Sequence, residues 1–343
     1  MANIQRAILS WYDQNKRDLP WRTSKNPYFI WISEVVLQQT RVEQGAPFYH
    51  RLLTAFPTVE SLARADEQQV LLAWKGLGYY SRARNLHKAA RQIMELYGGT
   101  FPANYSELIK LPGIGSYTAA AISSISYNEP VAAVDGNIIR IVSRLLDLPD
   151  AVESAQTAKI IKEYANEILP TDRPGDFNQG LMDLGSLICT PKSPTCLECP
   201  VMDVCLARVN NSQHLRPVKK PKKKAVNRFL LFKVNTNQGK IQLVRQQKGS
   251  IWENLYLFPF DEHPSEEAFL SSLEPVNKVL IGPSLHVLSH QRLNYAVVID
   301  ETKQPQTSEN WLTLDEIHEL PTPILVPRIL TRLENQLAPL FKC

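Results

Sequence analysis

The chain has 343 residues, of which 44% are hydrophobic and 21% charged, with five cysteines and a formal charge of +4. That length exceeds what one hydrophobic core usually holds, and no run approaches about 18 uncharged apolar residues, so two domains are expected and a membrane span is not. Met1 leads straight into helix-like sequence without an apolar leader, which argues against a secreted, disulfide-stapled protein and for a cytoplasmic one.

Apolar residues recur at three- and four-residue spacing over 28–37, 59–74, 83–97, 117–125, 138–146 and 154–168, which predicts helices there. Turns at 98–99, 111–115 and 172–175 separate them. Further along, the period changes to two. Segments 229–234, 241–245, 285–287 and 295–299 read as strands, and 266–273 and 328–338 as helices. An all-α domain over 1–213 is therefore followed by a smaller α+β domain over 229–343. The stretch between them, 214–228, is a basic linker. Its residues 216–228 carry seven basic groups and no acid, whereas 1–215 balance at 21 of each sign and 229–343 hold 10 basic against 13 acidic. Pro217, Pro221 and the lack of apolar periodicity make it an extended tether, either merely solvated or also touching phosphate.

Four cysteines, Cys189, Cys196, Cys199 and Cys205, follow the spacing C-x6-C-x2-C-x5-C. Zinc would normally take two short knuckles far apart. Three unequal gaps in one compact loop suit four thiolates around an iron–sulfur cube, so a cluster is favoured over zinc; with either metal the cysteines are ligands.

Leu111-Pro-Gly-Ile-Gly115-Ser-Tyr117 is a tight Gly-x-Gly turn opening a small-residue helix. It is either a plain helix–helix turn or a cradle in which two glycines and helix N–H groups approach an anion. Residues 75–91, KGLGYYSRARNLHKAAR, combine five basic side chains with two adjacent tyrosines, as phosphate contact and base stacking require. A solvated amphipathic helix would explain the charges but not the opening Gly-Leu-Gly-Tyr-Tyr.

Two carboxylates have unusual settings. Glu34 lies in the apolar run YFIWISEVVL, where desolvation should raise its pKa; the plainer alternative is a salt bridge to Arg17 or Arg22. Asp135 follows Val131–Val134 and precedes a helix, where an N-cap is the plain expectation. Spacing alone does not bring the two together.

Taken together, LPGIGSYTA at 111–119, VDGN at 134–137 and the cysteine loop resemble the helix-hairpin-helix DNA glycosylases that carry an iron–sulfur cluster. LPWR at 19–22, SEVVLQQTRVE at 33–43, GLGYYSRARNLHKAA at 76–90 and NQGLMDLGSLIC at 178–189 are similar to the adenine DNA glycosylases of the MutY family. The likeness runs over about residues 5–205. More loosely, WENLYLFPF at 252–260 and HVLSH at 286–290 resemble that family's NUDIX-like recognition domain, without a Nudix box of clustered glutamates.

The resemblance implies a two-lobed helical glycosylase domain with an iron–sulfur loop at 189–205, then the NUDIX-like domain. It implies a 4Fe-4S cluster on Cys189, Cys196, Cys199 and Cys205, structural and DNA-positioning rather than redox-active in the reaction. It implies removal of adenine opposite 8-oxoguanine or guanine in double-stranded DNA, by a monomer, in base excision repair. Glu34 would protonate adenine and Asp135 would stabilise the cationic sugar, with Asn137 and Tyr117 orienting them. Lyase relatives place a Schiff-base Lys where Tyr117 stands, so a monofunctional enzyme is expected.

By the same resemblance, Trp21 and Arg22 line the adenine pocket, Gln39 and Tyr79 fill the opened stack, and Thr40 and Leu77 flank the opposite base. Gly113 and Gly115 grip the backbone, while Ser289 and His290 inspect 8-oxoguanine. The family often has Phe where this chain has Leu288, which weakens the expected lesion contact. The competing readings are an endonuclease III-like lyase for oxidised pyrimidines and a non-catalytic lesion binder.

Overall fold

The computed structural model describes residues 2–221, 224–274, 279–300 and 310–337. Contacts divide the chain into two compact units, one of residues 1–64 with 85–221 and one of 65–84 with 222–343.

The first unit is helical. Pro27–Leu37 starts on Asn26, whose side chain accepts from the Tyr28 N–H, with Pro27 pre-set at the first helical position. It is buried on nearly every side, which is why its sequence is apolar almost without interruption. It packs on Ser116–Tyr127, and Pro174–Leu187 packs on Ala2–Asn15, Ser116–Tyr127 and Gly136–Leu145. These helices surround a core that includes Ile8, Ile138, Val142, Phe177 and Leu184. Small residues permit the close approach: a Cβ on Gly175 would sit 2.6 Å from the Ser124 carbonyl oxygen.

Two expectations are corrected here. The helix expected over 59–74 is two, Val59–Arg64 and Glu67–Ala73, because Asp66 and Gln69 form a reciprocal capping box that restarts the chain. The turn expected at 172–175 is a bend over 171–173 that passes directly into a helix, since Pro174 occupies a first-turn position that needs no N–H. The stretch read as a linker is held at its start. Arg216 pairs with Asp147, Val218 accepts from the Val152 N–H, and the Lys220 N–H donates to Glu153. Lys222 and Lys223 lie outside the described residues, as do Ala338 and Cys343.

The second unit holds a mixed sheet of β1 (Val226–Asn237), β2 (Lys240–Arg245), β3 (Tyr256–Leu257), β4 (Phe260–His263), β5 (Val279–Val287), β6 (Gln291–Asp300) and β7 (Asn310–Leu312). The order among the described residues is β3-β2-β1-β6-β5, with β4 on β1 and β7 on β2. β1 and β6 run parallel, from Val226 opposite Gln291 to Asn235 opposite Asp300, and the other pairs are antiparallel. Leu231, Phe269, Ala296 and Val298 form one of its cores, with helix Glu266–Ser271 against the sheet. The final described helix is Leu325–Leu337. Among the described residues no helix is long and apolar enough to cross a membrane.

Candidate active site

The four residues expected to act together are gathered by three different elements of the first unit. Glu34 comes from Pro27–Leu37, Tyr117 from Ser116–Tyr127, and Asp135 and Asn137 from the start of Gly136–Leu145. Pro174–Leu187 closes the group with Gln179 and Met182. All of them line a cavity of about 500 Å³ that also reaches Trp21, Arg22 and Thr40.

Glu34 is 9% exposed, and the Tyr117 hydroxyl donates to its Oε2 at 2.6 Å. Burial pushes the Glu34 carboxyl up to about 7; the Tyr117 hydrogen bond and Arg22 oppose this, and the nearby Asp135 charge adds to it. The Tyr117 hydroxyl is pushed well above its usual range, chiefly by burial and then by Glu34. It stays a donor.

Asp135 does cap its helix. Its Oδ1 accepts from the Asn137 and Ile138 N–H groups at 2.9 and 2.8 Å, and its Oδ2 from Asn137 Nδ2 at 2.7 Å. The cap and the pocket residue are the same group. Burial raises its pKa, while these donors and Arg140 oppose the rise. Arg140 holds Asn137 in turn: Nη2 donates to Asn137 Oδ1 and to the Gly185 carbonyl, and Nε to the Cys189 carbonyl. Gly185 is required for space, since a Cβ there would lie 2.5 Å from the Asn137 Cβ.

The salt bridge considered for Glu34 goes elsewhere. Arg22 Nη1 and Nη2 donate to Asp183 at 2.6 and 2.9 Å, and Arg17 Nε donates to it at 2.7 Å. Burial pushes the Asp183 carboxyl up, but the two guanidiniums outweigh it and the net shift is downward. Arg22 keeps a buried Nε with no partner among the described residues. The periodicity pointed to none of Asp183, Arg140, Gln179, Met182 or Gly185 as site residues. The one available signal was that all five fall in NQGLMDLGSLIC or in the helix after VDGN.

In the hairpin, Gly113 has φ +75°, a left-handed conformation that suits glycine, and a Cβ there would press on Asn85. Gly115 is the N-cap of the following helix, with open space where its Cβ would be. Gln39, just past the Glu34 helix, is exposed and left-handed at φ 57°.

Leu77 and Tyr79 belong to the second unit. There they line a cavity of about 410 Å³ with Trp252, Ser289, His290 and Arg328. Ser289 and His290 are exposed at the turn from β5 to β6, which closes with the Leu288 N–H on the Gln291 carbonyl. The Tyr79 hydroxyl meets Ser289 Oγ.

Cys189, Cys196, Cys199 and Cys205 line one cavity of the first unit. Burial pushes Cys199 up to about 11 and Cys205 upward as well, so charged thiolates there need compensating positive charge. Arg144, 2% exposed, supplies some of it: Nη1 donates to Cys189 Sγ at 3.2 Å and to the Thr190 carbonyl. Among the described residues no three His, Cys, Asp or Glu side chains converge where one metal ion would sit.

A family model for the HhH-GPD superfamily of base excision DNA repair proteins matches residues 32–171, and one for the NUDIX domain matches residues 231–332. The chain is 34% identical over 338 residues to an adenine DNA glycosylase of Buchnera aphidicola subsp. Schizaphis graminum, covering 94% of this chain and 96% of that one. To the adenine DNA glycosylase of Homo sapiens it is 41% identical over 211 residues, 59% of this chain and 39% of the relative. A thermostable thymine-DNA glycosylase superposes with a TM-score of 0.56 at 29% identity, over 60% of this chain and 95% of the other. An endonuclease III–DNA complex shares the fold, with a TM-score of 0.52 at 21% identity, over 61% of this chain and 97% of the other. Matched along nearly its whole length, the chain belongs to the adenine DNA glycosylase family, MutY, and is a DNA glycosylase of base excision repair.

Proposed function

We propose that this protein is a monofunctional glycosylase that hydrolyses the N-glycosidic bond of adenine opposite 8-oxoguanine or guanine in duplex DNA, acting as a monomer. The observation that carries the reading is the pocket in which a buried Glu34, with its pKa near 7, lies with a hydrogen-bonded Asp135. Cleavage needs a proton for the departing base and negative charge beside the sugar as it becomes cationic. Glu34 retains a proton near neutrality and gives it to the base. Asp135, supplied with three donors, stays the better anion of the two and faces the sugar cation. Tyr117 fixes Glu34, and Asn137 fixes Asp135.

Trp21 and Arg22 flank the extruded adenine. Position 117 holds no amine, and no lysine lines the cavity among the described residues, which supports hydrolysis over Schiff-base chemistry.

Extruding the base costs about a few kcal/mol, least at a mispair. Gln39 and Tyr79 fill the gap, Thr40 and Leu77 flank the opposite base, Gly113 and Gly115 hold the backbone, and Ser289 with His290 reads the oxidised guanine. The four cysteines hold a 4Fe-4S cluster. Supporting this are their shared cavity and their C-x6-C-x2-C-x5-C spacing within one loop. The cluster supplies a fixed loop rather than a chemical step.

The test is base release from duplexes with adenine opposite 8-oxoguanine, guanine or thymine, and from one with an oxidised pyrimidine, each read with and without hot alkali. Alkali-dependent breaks at the mispaired adenine alone are expected. Alkali-independent breaks at the pyrimidine would make the protein a lyase, and tight binding without breaks would make it a lesion binder.

A further inference from the structure

Within the second unit, residues 75–80 form a loop whose shape is costly to hold. Gly76 and Gly78 have φ of 96° and 76°, and Tyr79, which has a side chain to accommodate, has φ 47°. Tyr79 is 42% exposed, so core packing does not fix its ring. On either side of it, however, the chain is anchored. Trp74 is fully buried and its Nε1 donates to the Gly78 carbonyl at 2.9 Å. Tyr80 is buried and donates to the Thr322 carbonyl.

Beside the Trp74–Gly78 bond and the meeting of the Tyr79 hydroxyl with Ser289, Arg82 joins the anchored part to the exposed tip. Its guanidinium carbon lies 5.0 Å from the Trp74 ring centre and 5.6 Å from that of Tyr79, so one planar cation bridges a buried ring and an exposed one. Its Nη2 reaches the carbonyls of Leu77 and Gly78 at 3.4 and 3.3 Å, and its own N–H donates to the Tyr79 carbonyl at 2.9 Å. Every residue of the tip, 77 to 79, is touched by Arg82. Burial pushes the guanidinium down to about 10, partly countered by Tyr79, which is the mark of a cation whose water has been replaced by rings and carbonyls.

We infer that Arg82 is a positioning residue that holds Leu77 and Tyr79 ready to enter the base stack, through a planar guanidinium laid against two rings rather than through charge offered to phosphate. The inference rests on the reading above that this loop opens the duplex. A lysine keeps the charge but has no plane to lie against two rings. A bracing role therefore makes Arg82→Lys defective, and a role in attracting phosphate makes it harmless.

The experiment measures single-turnover adenine release opposite 8-oxoguanine on two duplexes, one fully paired around the mispair and one with mismatched flanks, where the adenine needs little unstacking. Arg82→Lys is expected to slow the paired duplex about 10- to 100-fold and the relaxed one less than about 3-fold. As a second variant, Arg82→Met is expected to leave the salt dependence of DNA binding unchanged, because no phosphate contact is lost. Full activity of Arg82→Lys on both duplexes overturns the inference, as does equal slowing on both, which marks a general structural defect. A salt slope reduced by about one phosphate contact in Arg82→Met overturns it too. If the unsubstituted protein releases adenine from neither duplex, the proposed function falls first and this inference with it.

Discussion

Glu34 and Asp183 are both buried in the first unit, and Arg22 acts on both, yet they meet different partners. Glu34 has one neutral donor, the Tyr117 hydroxyl, and a like charge at Asp135, so burial wins and it keeps its proton to about pH 7. Asp183 has two guanidiniums within 2.7 Å, so attraction wins and it is ionised below the usual carboxylate range. Burial alone therefore does not decide what a carboxylate is for. The charge of its nearest donor does: a neutral hydroxyl leaves an acid available for chemistry, while a pair of arginines turns a carboxylate into a structural clamp.

The same contrast sets opposite pH dependences. The folded pKa of Glu34 lies above its unfolded value near 4.5, so the folded state binds more protons in between, and its contribution to stability falls as pH rises from about 4.5 to 7. Asp183 is lowered, so its contribution is complete above its unfolded value and is lost as pH falls through the folded one.

The largest break comes from removing the acid. Glu34→Gln is expected to cut adenine release by about 10²–10⁴-fold in single-turnover assays. It should also raise the melting midpoint at pH 8, because a charge that is costly to bury is gone; a lower midpoint would show that the Glu34 charge is not strained. Asp183→Asn should do the reverse, costing about 3–5 kcal/mol in denaturant melts by stranding Arg17 and Arg22, and an unchanged midpoint would refute the clamp.

A smaller effect tests the support of Asp135. Gly185→Ala should push Asn137 aside and slow excision by up to about 100-fold with little change in DNA affinity, a split visible in kcat against KM. The mildest test is Tyr117→Phe. Removing the donor that lowers the Glu34 pKa should move the alkaline limb of the pH–rate profile above pH 7, and a shift to lower pH would contradict the geometry.

Helices with a strong apolar stripe could be read from sequence, as could the places of the main strands, although β1 and β2 are buried in runs of three rather than alternately, and the glycosylase superfamily followed from its motifs. The break at Asp66 was not legible from apolar period alone, because 59–74 stays in phase across it and only the Asp66–Gln69 pairing reveals the restart. The site was legible unevenly. Glu34 stood out because a carboxylate in YFIWISEVVL is a local anomaly. Asp183 did not, because its partners Arg22 and Arg17 lie 161 and 166 residues away, and nothing near Asp183 announces them. Arg140 reads as one more cation on an amphipathic helix until Asn137 and Gly185 are seen against it.

Asp135 begins a helix with the same carboxylate that borders the pocket. Loss of an N-cap costs about 1 kcal/mol of fold, so Asp135→Ala lowers both the amount of intact protein and the work each molecule does, whereas Asp135→Asn keeps a capping oxygen and lowers only the second. Glu34 caps no helix, and Glu34→Gln keeps the size of the side chain while removing its charge. Scored once for abundance and once for repair, Asp135→Ala would fall near the diagonal, and Asp135→Asn and Glu34→Gln far from it.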